Sequence, residues 1–569
     1  MFKESDKNKQ LDLFSSPSEQ LRGKSKNFYN KDNSWHNLFR EQITMRINET
    51  IFKDLYKSGD GAPNASVRVL VAMTILKEGQ GWSDEQLFEN CNYNLLIRGA
   101  LGLMNLNDAP PVASTYYLFR KRLVEYTREH KTDLMQQCMN ALTKEHVLAY
   151  QVSGKQVRMD SKLIGSNIAW LSRYELVHET LRLFIYEREE FIHKRTWGKQ
   201  EMALIKEILG ESGNKVVYRS TKAEIDARFV ALGKLMFRLV NLFANYTYGQ
   251  YKTLQTVFDQ QFSVDKQKVV LPLENERISA ESVQSPQDTD AHYRDKDGNK
   301  VKGYSANITE TCDDASRDEP ALNLITDVAI DVVTTADKDF LIDALTKTQE
   351  VVSQKIEKVY ADGAYNSRKN QEHATRESYD LQLTAMQGAQ SRYDLSLDEQ
   401  DDTKLIVIDL KTGNSIEAQR VKSRKNPESK QWKITTDEGK PRYFNLEALR
   451  TSLLRQKLRD IPLKERNKRN NVEATIFQFG FHYPNNKSRY RGLDKHKLWA
   501  YARCQWINFI RIINYITQLC QRSLALAQKN PFFNQIWFVW LIIKKLVVLK
   551  TIFTNFKNHP RKYGSFSVC

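Results

Sequence analysis

Asp160 closes the run Val157-Arg158-Met159-Asp160-Ser161-Lys162, and Asp362 closes Val359-Tyr360-Ala361-Asp362-Gly363-Ala364-Tyr365. Both runs read as short strands, so each carboxylate emerges at a strand end, and Gly363 lets the chain turn sharply behind the second. Glu473 lies in a helical pattern, Arg466-Asn467-Lys468-Arg469-Asn470-Asn471-Val472-Glu473, with Arg469 four residues before it on the same helical face. Brought together, two aspartates and a glutamate make an all-oxygen site, which suits Mg²⁺ or Mn²⁺ rather than zinc. Two such ions about 3.5 to 4 Å apart activate an attacking oxygen and stabilise a leaving one in phosphodiester cleavage or strand transfer. Phosphates added to such a site call for further positive charge, and Arg469 is the local source. With 69 acidic residues in the chain, three acids alone specify little, and a strand-end aspartate is often a turn former. Their surroundings must carry the reading.

The elements that position these residues alternate between helix and strand. Val67, Leu70, Val71, Thr74 and Ile75 recur at helical spacing, with a stop at residues 79–81. Ser83-Asp84 caps a second helix over 85–91, and Ser114 is the expected N-cap of a third over 116–126, which carries Arg120, Lys121 and Arg122. This block fits a helix-turn-helix-like DNA-binding unit, and it equally fits a plain helical domain with a solvated basic face. Strand patterns follow at 156–160, 302–311, 322–332, 355–361 and 381–386, with a helix over 337–353. Residues 171–262 have the periodicity of two or more long amphipathic helices. Residues 387–403 read as an acidic loop, 404–447 as short β runs with turns, and 445–478 and 498–527 as helices. The order is mixed α/β, interrupted twice by insertions.

The formal net charge is +17 over 569 residues, and it is unevenly placed: Lys and Arg exceed Asp and Glu by 18 in residues 451–569 alone. A polyanion partner, nucleic acid ahead of lipid, fits that asymmetry, as does a soluble basic surface. The six cysteines form no CxxC pair, which argues against a disulfide framework or structural zinc and for a reducing compartment. The first residues are polar and lack the apolar core of a signal peptide, so a cytoplasmic, nucleoid-associated protein is expected. The apolar run 536–543 is broken by Lys544-Lys545 and reads as a buried or amphipathic helix rather than a span, so no membrane partner is expected.

Taken with their flanks, these motifs resemble the DDE transposases of bacterial insertion sequences, of the broad insertion-sequence-four and insertion-sequence-five superfamily. The resemblance runs over about residues 38–515. It rests on Val112-Ala113-Ser114-Thr115-Tyr116 leading into the Arg-rich helix, Arg158-Met159-Asp160-Ser161, Asp290-Ala291-His292-Tyr293-Arg294 with Lys302-Gly303-Tyr304, and above all Tyr360-Ala361-Asp362-Gly363-Ala364-Tyr365. In the third motif Arg469 and Glu473 fit, but Arg466 stands where a tyrosine is expected and Gly480 where a lysine is expected. Lys487, Arg489 and Arg491 are candidates to replace that charge.

The resemblance implies an α/β RNase H-like mixed-sheet core preceded by an all-α domain. The expected division is a mobile N-terminus (1–35), a helical DNA-binding domain (36–148), a catalytic core (149–171, 290–390 and 448–530), a helical insertion (172–289), a β-rich insertion (391–447) and a basic apolar tail (531–569). It implies metal-dependent DNA end cleavage and strand transfer of a mobile element. Asp160, Asp362 and Glu473 would hold two Mg²⁺ or Mn²⁺ ions, and Arg469 would orient Glu473 or a phosphate. Double-stranded DNA, both terminal inverted repeats and target, would bind through Arg120, Lys121, Arg122, Arg466, Lys487, Arg489 and Arg491, with the protein a homodimer in the complex. The helical insertion would belong to the dimer or DNA-embracing surface, or serve as a rigid spacer. Two rivals stand beside this reading: an inactive DNA-binding relative, whether decayed element or repressor, and an RNase H-like nuclease without strand transfer.

Overall fold

The computed structural model describes residues 1–529 except 7–14, 58–62, 247–248, 297, 315–319, 387, 389, 399–400, 402–403, 423–429 and 437–438. The 531–569 tail, with its apolar run, lies outside the described residues. The chain is a mixed α/β protein with a helical N-terminal region. Residues ahead of that region are packed onto it. Ser5 donates from its backbone N–H and its hydroxyl to the Glu49 carboxylate (2.7 and 2.9 Å), and Tyr29, in the short helix Gly23–Asn30, is buried.

Helix α1 (Val67–Gln80) starts at Ser66, whose hydroxyl accepts from the Val69 N–H, and stops at Gly81. Residues 67–79 are buried all round rather than on one stripe. A helix without a wet face belongs inside, and a C-terminal helix described below covers its second side. Asp84–Tyr93 follows with the expected Ser83 cap, completed by Gln86 into a capping box. Helix α2 (Ala113–His130) begins earlier than expected. Val112 holds the cap position and Ser114 falls within the first turn, because the fixed φ of Pro110-Pro111 keeps the chain extended only as far as Val112. Leu134–Tyr150 completes the region.

The central sheet contains β1 (Gln156–Gly165), β2 (Asn299–Thr311), β3 (Ile325–Val332), β4 (Lys358–Ala361) and β5 (Asp380–Leu383), in the order β3-β2-β1-β4-β5. The strand His292–Lys296 pairs with the first part of β2. β2 runs antiparallel to both β1 and β3, whereas β4 lies parallel to β1 and β5 parallel to β4. Period-two alternation divides β1 between two faces. Val157 and Met159 pack with Leu341, Ala344 and Leu345 of helix α3 (Asp337–Val352). Arg158, Asp160 and Lys162 point to the opposite face, which is covered by α4 (Leu463–Gly480).

Helix α5 (Leu493–Lys529) joins the parts. Its Trp499, Cys504, Ile507 and Phe509 share one apolar core with α1 and with Ile308, Ile325 and Val328 of the sheet. The helical region and the sheet are therefore cemented rather than tethered. No helix among the described residues is long and apolar enough to cross a membrane.

Two insertions leave the sheet order intact. Between β1 and β2, six helices from Arg173 to Gln261 enclose their own core of Leu181, Phe184, Leu232, Met236 and Leu254. Between β5 and α4 lies a five-stranded antiparallel meander from Tyr393 to Asn445, closed by the helix Leu446–Asp460. Its first strand, Tyr393–Leu397, corrects the expected acidic loop: Tyr393 and Leu395 alternate inward while Asp394 and Ser396 stay on the wetter face, and acidic composition masked that period.

Candidate active site

The parallel pairing of β1 with β4 sets the first two carboxylates. Gln156 lies opposite Lys358, Val157 opposite Val359 and Arg158 opposite Tyr360, and just past this ladder Asp160 and Asp362 both reach the Arg469 guanidinium. Asp362 ends its strand as the cap of a short turn and accepts from the Ala364 N–H at 2.7 Å. Gly363 has no room for a side chain: a Cβ there would stand 2.2 Å from the Ala385 carbonyl oxygen. Gly363→Ala is expected to cost about 1–3 kcal/mol in urea unfolding and to displace Asp362, because a backbone atom cannot yield as a side chain does.

Helix α4 brings the remaining pair across β1. Arg469 spreads its guanidinium over all three acids: Nη2 lies 2.9 Å from Asp160 Oδ2 and 4.0 Å from Asp362 Oδ2, and Nη1 lies 3.4 Å from Glu473 Oε1. Asp160 is nearly buried, whereas the Glu473 side chain is 61% exposed and marks the open side. Burial pushes the Asp160 carboxyl above the usual range; Arg469 pulls it back, and Asp362 and Asp337 push it further up. Burial, followed by Asp160, Asp337 and Asp362, holds the Tyr365 phenol well above its ordinary range.

Asp337 was not foreseen from sequence. It opens α3 on the far face of β1 and accepts from the Ser161 hydroxyl at 2.7 Å, so the residue next to Asp160 is anchored to a fourth carboxylate. Behind the site, buried Glu310 of β2 accepts from Arg158 Nε (2.5 Å) and Thr475 (2.8 Å) and pairs with Arg511 (2.7 Å). Arg158 also donates to the Lys468 carbonyl at 3.1 Å. This network ties the strand bearing Asp160 to the helix bearing Glu473.

The donor set fits a hard divalent cation: every candidate ligand is a carboxylate oxygen, and the group already draws a cation to itself in Arg469. Among the described residues no three His, Cys, Asp or Glu side chains stand together as a metal cage. The guanidinium fork lies between the three acids.

The basic residues singled out from sequence fall in several places. Lys487, Arg489 and Arg491 are exposed where Lys487 bridges to Gly165, at the C-terminal end of β1, past Asp160, which lies midway along the strand. Lys487 donates to the Ile168 carbonyl (2.8 Å) and Arg491 to that of Asn167 (2.7 Å), while Arg489 lies over Tyr483. Arg120, Lys121 and Arg122 do not form one stripe, since consecutive helical positions diverge by about 100°. Arg120 turns inward to Asp84 and the Tyr116 and Tyr490 rings, Arg122 lies over Tyr56, and Lys121 is exposed beside Glu125. The Arg466 side chain lies outside the described residues.

Beside Gly480 stands Lys162, unremarked in the sequence reading. Its ammonium donates to the Ile476 carbonyl at 3.4 Å, and a Cβ on Gly480 would come within 2.6 Å of its Nζ. Burial lowers its affinity for the proton. Alternation with Asp160 at two residues' spacing was the available signal.

Residues 26–122, the core of the helical region through most of α2, match the family model described as Transposase domain (DUF772). That similarity supports a transposase. No curated protein and no solved structure matches the chain.

Proposed function

We propose that the chain is a DDE transposase that cleaves DNA at the ends of an insertion sequence and joins them to target DNA. The observation that carries this reading is that Asp160 of β1 and Asp362, just past parallel β4, converge with Glu473 of α4 on one guanidinium. The order β3-β2-β1-β4-β5, with β2 reversed, supports an RNase H-like core, and the transposase-like segment 26–122 supports the class of reaction. Asp160, Asp362 and Glu473 would hold Mg²⁺ or Mn²⁺. Such ions, when bound, supply a polarised water or 3′-hydroxyl and a charge for the leaving oxygen.

The chain's own residues do the rest. Met159 and Val157, locked in the core, fix the strand that presents Asp160, and the Glu310 network fixes α4 above it. Lys162 offers an ammonium one strand step beyond Asp160, and Lys487, Arg489 and Arg491 extend the positive surface past the end of β1. Duplex DNA would lie along this line, with a homodimer holding two ends.

Pre-cleaved end duplexes incubated with a supercoiled target and Mn²⁺ test the proposal. Joined products are the expected result. Cleavage without joining identifies a nuclease, and tight binding without any chemistry identifies an inactive relative. In the same preparation, changing Lys487, Arg489 and Arg491 together to Gln is expected to lower the slope of log affinity against log salt by about 2 to 3, because each phosphate contact contributes about 0.9. An unchanged slope, measured by fluorescence anisotropy, removes these residues from the DNA surface.

A further inference from the structure

Arg469 stands between Asp160, Asp362 and Glu473. One guanidinium serves three acids from two separate chain segments and its own helix, at 2.9, 4.0 and 3.4 Å. Its guanidinium carries only donors, so it neutralises these oxygens but cannot share them with a second cation at close range. One positive charge against three carboxylates, with Asp337 close behind, leaves the cluster under-neutralised. The arginine is also imperfectly housed: its Nε is buried and makes no hydrogen bond among the described residues. A buried donor without an acceptor is a cost that a better acceptor removes. A phosphodiester presents two oxygens in the spacing a guanidinium fork takes. Glu473, at the exposed edge and one turn along α4, shows that the arginine lies next to solvent on the side from which DNA would arrive.

We infer that Arg469 is an internal counter-ion that occupies the metal's place among Asp160, Asp362 and Glu473 until a DNA phosphate draws it away, so that divalent metal and DNA bind cooperatively. The inference rests on the proposed transposase reading. It makes Arg469 a gate that leaves the metal site closed in the free protein and opens it on substrate. By linkage the effect is reciprocal: metal strengthens DNA binding by the factor with which DNA strengthens metal binding.

The test is Mn²⁺ binding to the full chain, followed by the EPR signal of free Mn²⁺, with and without a random-sequence DNA duplex whose own binding is followed by anisotropy. Wild-type affinity for Mn²⁺ is expected to rise about 10-fold or more when the duplex is bound. Arg469→Gln is expected to show a similar gain without DNA and little more with it. Arg469→Lys keeps the charge but cannot fork to two acids, and it is expected to exceed the wild type in DNA-free Mn²⁺ affinity, which keeps the question open to measurement if the Gln variant does not fold. A wild type that holds the duplex with no gain in Mn²⁺ affinity overturns the gate, as do variants that bind Mn²⁺ no better than wild type. A chain that binds no duplex fails the transposase reading itself, and one that binds duplex but never Mn²⁺ fails at the metal site.

Discussion

Asp160→Asn is expected to lower DNA end cleavage by about 10³-fold or more, while duplex binding measured without divalent metal stays within about twofold. The size follows from the proposed role as a metal ligand, whose loss would forfeit several kcal/mol of metal-borne stabilisation of the developing charge, at about 1.36 kcal/mol per tenfold in rate. Metal-free binding is spared because the cations proposed to face DNA, Lys162, Lys487, Arg489 and Arg491, are not partners of Asp160. Stability separates a catalytic role from a structural one. Asp160 is buried and its carboxyl is pushed above the ordinary range by that burial, with Arg469 only partly offsetting it. A group whose folded pKa is raised loses stability as pH rises past its unfolded value, so at neutral pH the ionised form is a burden that neutral Asn relieves. Arg469 retains Asp362 and Glu473 as partners. The unfolding midpoint of Asp160→Asn should therefore equal or exceed that of the wild type without metal. Normal cleavage by the variant would sink the assignment of Asp160, and a large loss of stability would recast it as a structural residue.

Local chemistry in the sequence was readable where the cause is local. Ser83 with Gln86 three residues on is a complete capping signal, and the helix begins where it points. The strand end before Asp362 was visible as an apolar run giving way to a turn, but Asp160, read as a strand end, lies midway along β1, because the polar residues Ser161 and Lys162 stay in the ladder with β2 as far as Gly165. The convergence of the two aspartates was not visible, because it depends on a parallel ladder between strands separated by a whole helical insertion, and no local pattern encodes such a register. The same blindness hid Glu310, one polar residue among many in its strand, whose partner Arg158 lies 152 residues away. Arg120 shows the opposite failure. Composition advertised a basic stripe, but the rings of Tyr116 and Tyr490 and the Asp84 carboxylate give this arginine an internal use that counting charges cannot reveal.

Glu310→Gln is expected to cost about 3 kcal/mol or more in unfolding free energy, the largest stability loss among the substitutions considered. The carboxylate is fully buried and stands between two guanidinium groups, with Thr475 donating to one of its oxygens. Removing its charge while keeping its shape leaves Arg158, itself almost fully buried, with no anion to compensate it, and that uncompensated charge rather than the lost bonds sets the cost. The pH dependence has a definite sign. Burial alone would raise the Glu310 carboxyl, but Arg511 and Arg158 together hold it below the ordinary glutamate value. Its contribution is thus complete above the unfolded pKa and is lost as pH falls through the lower folded pKa. The gap between wild type and Glu310→Gln, read from urea midpoints, should be widest near neutrality and close in acid as the wild-type residue takes up its proton. Because Thr475 and the Lys468 carbonyl belong to α4, the variant should also loosen Glu473 against Asp160 and lower cleavage at temperatures where it remains folded. A gap that stays constant from neutral to acid pH would mean that shape, not charge, is what Glu310 supplies.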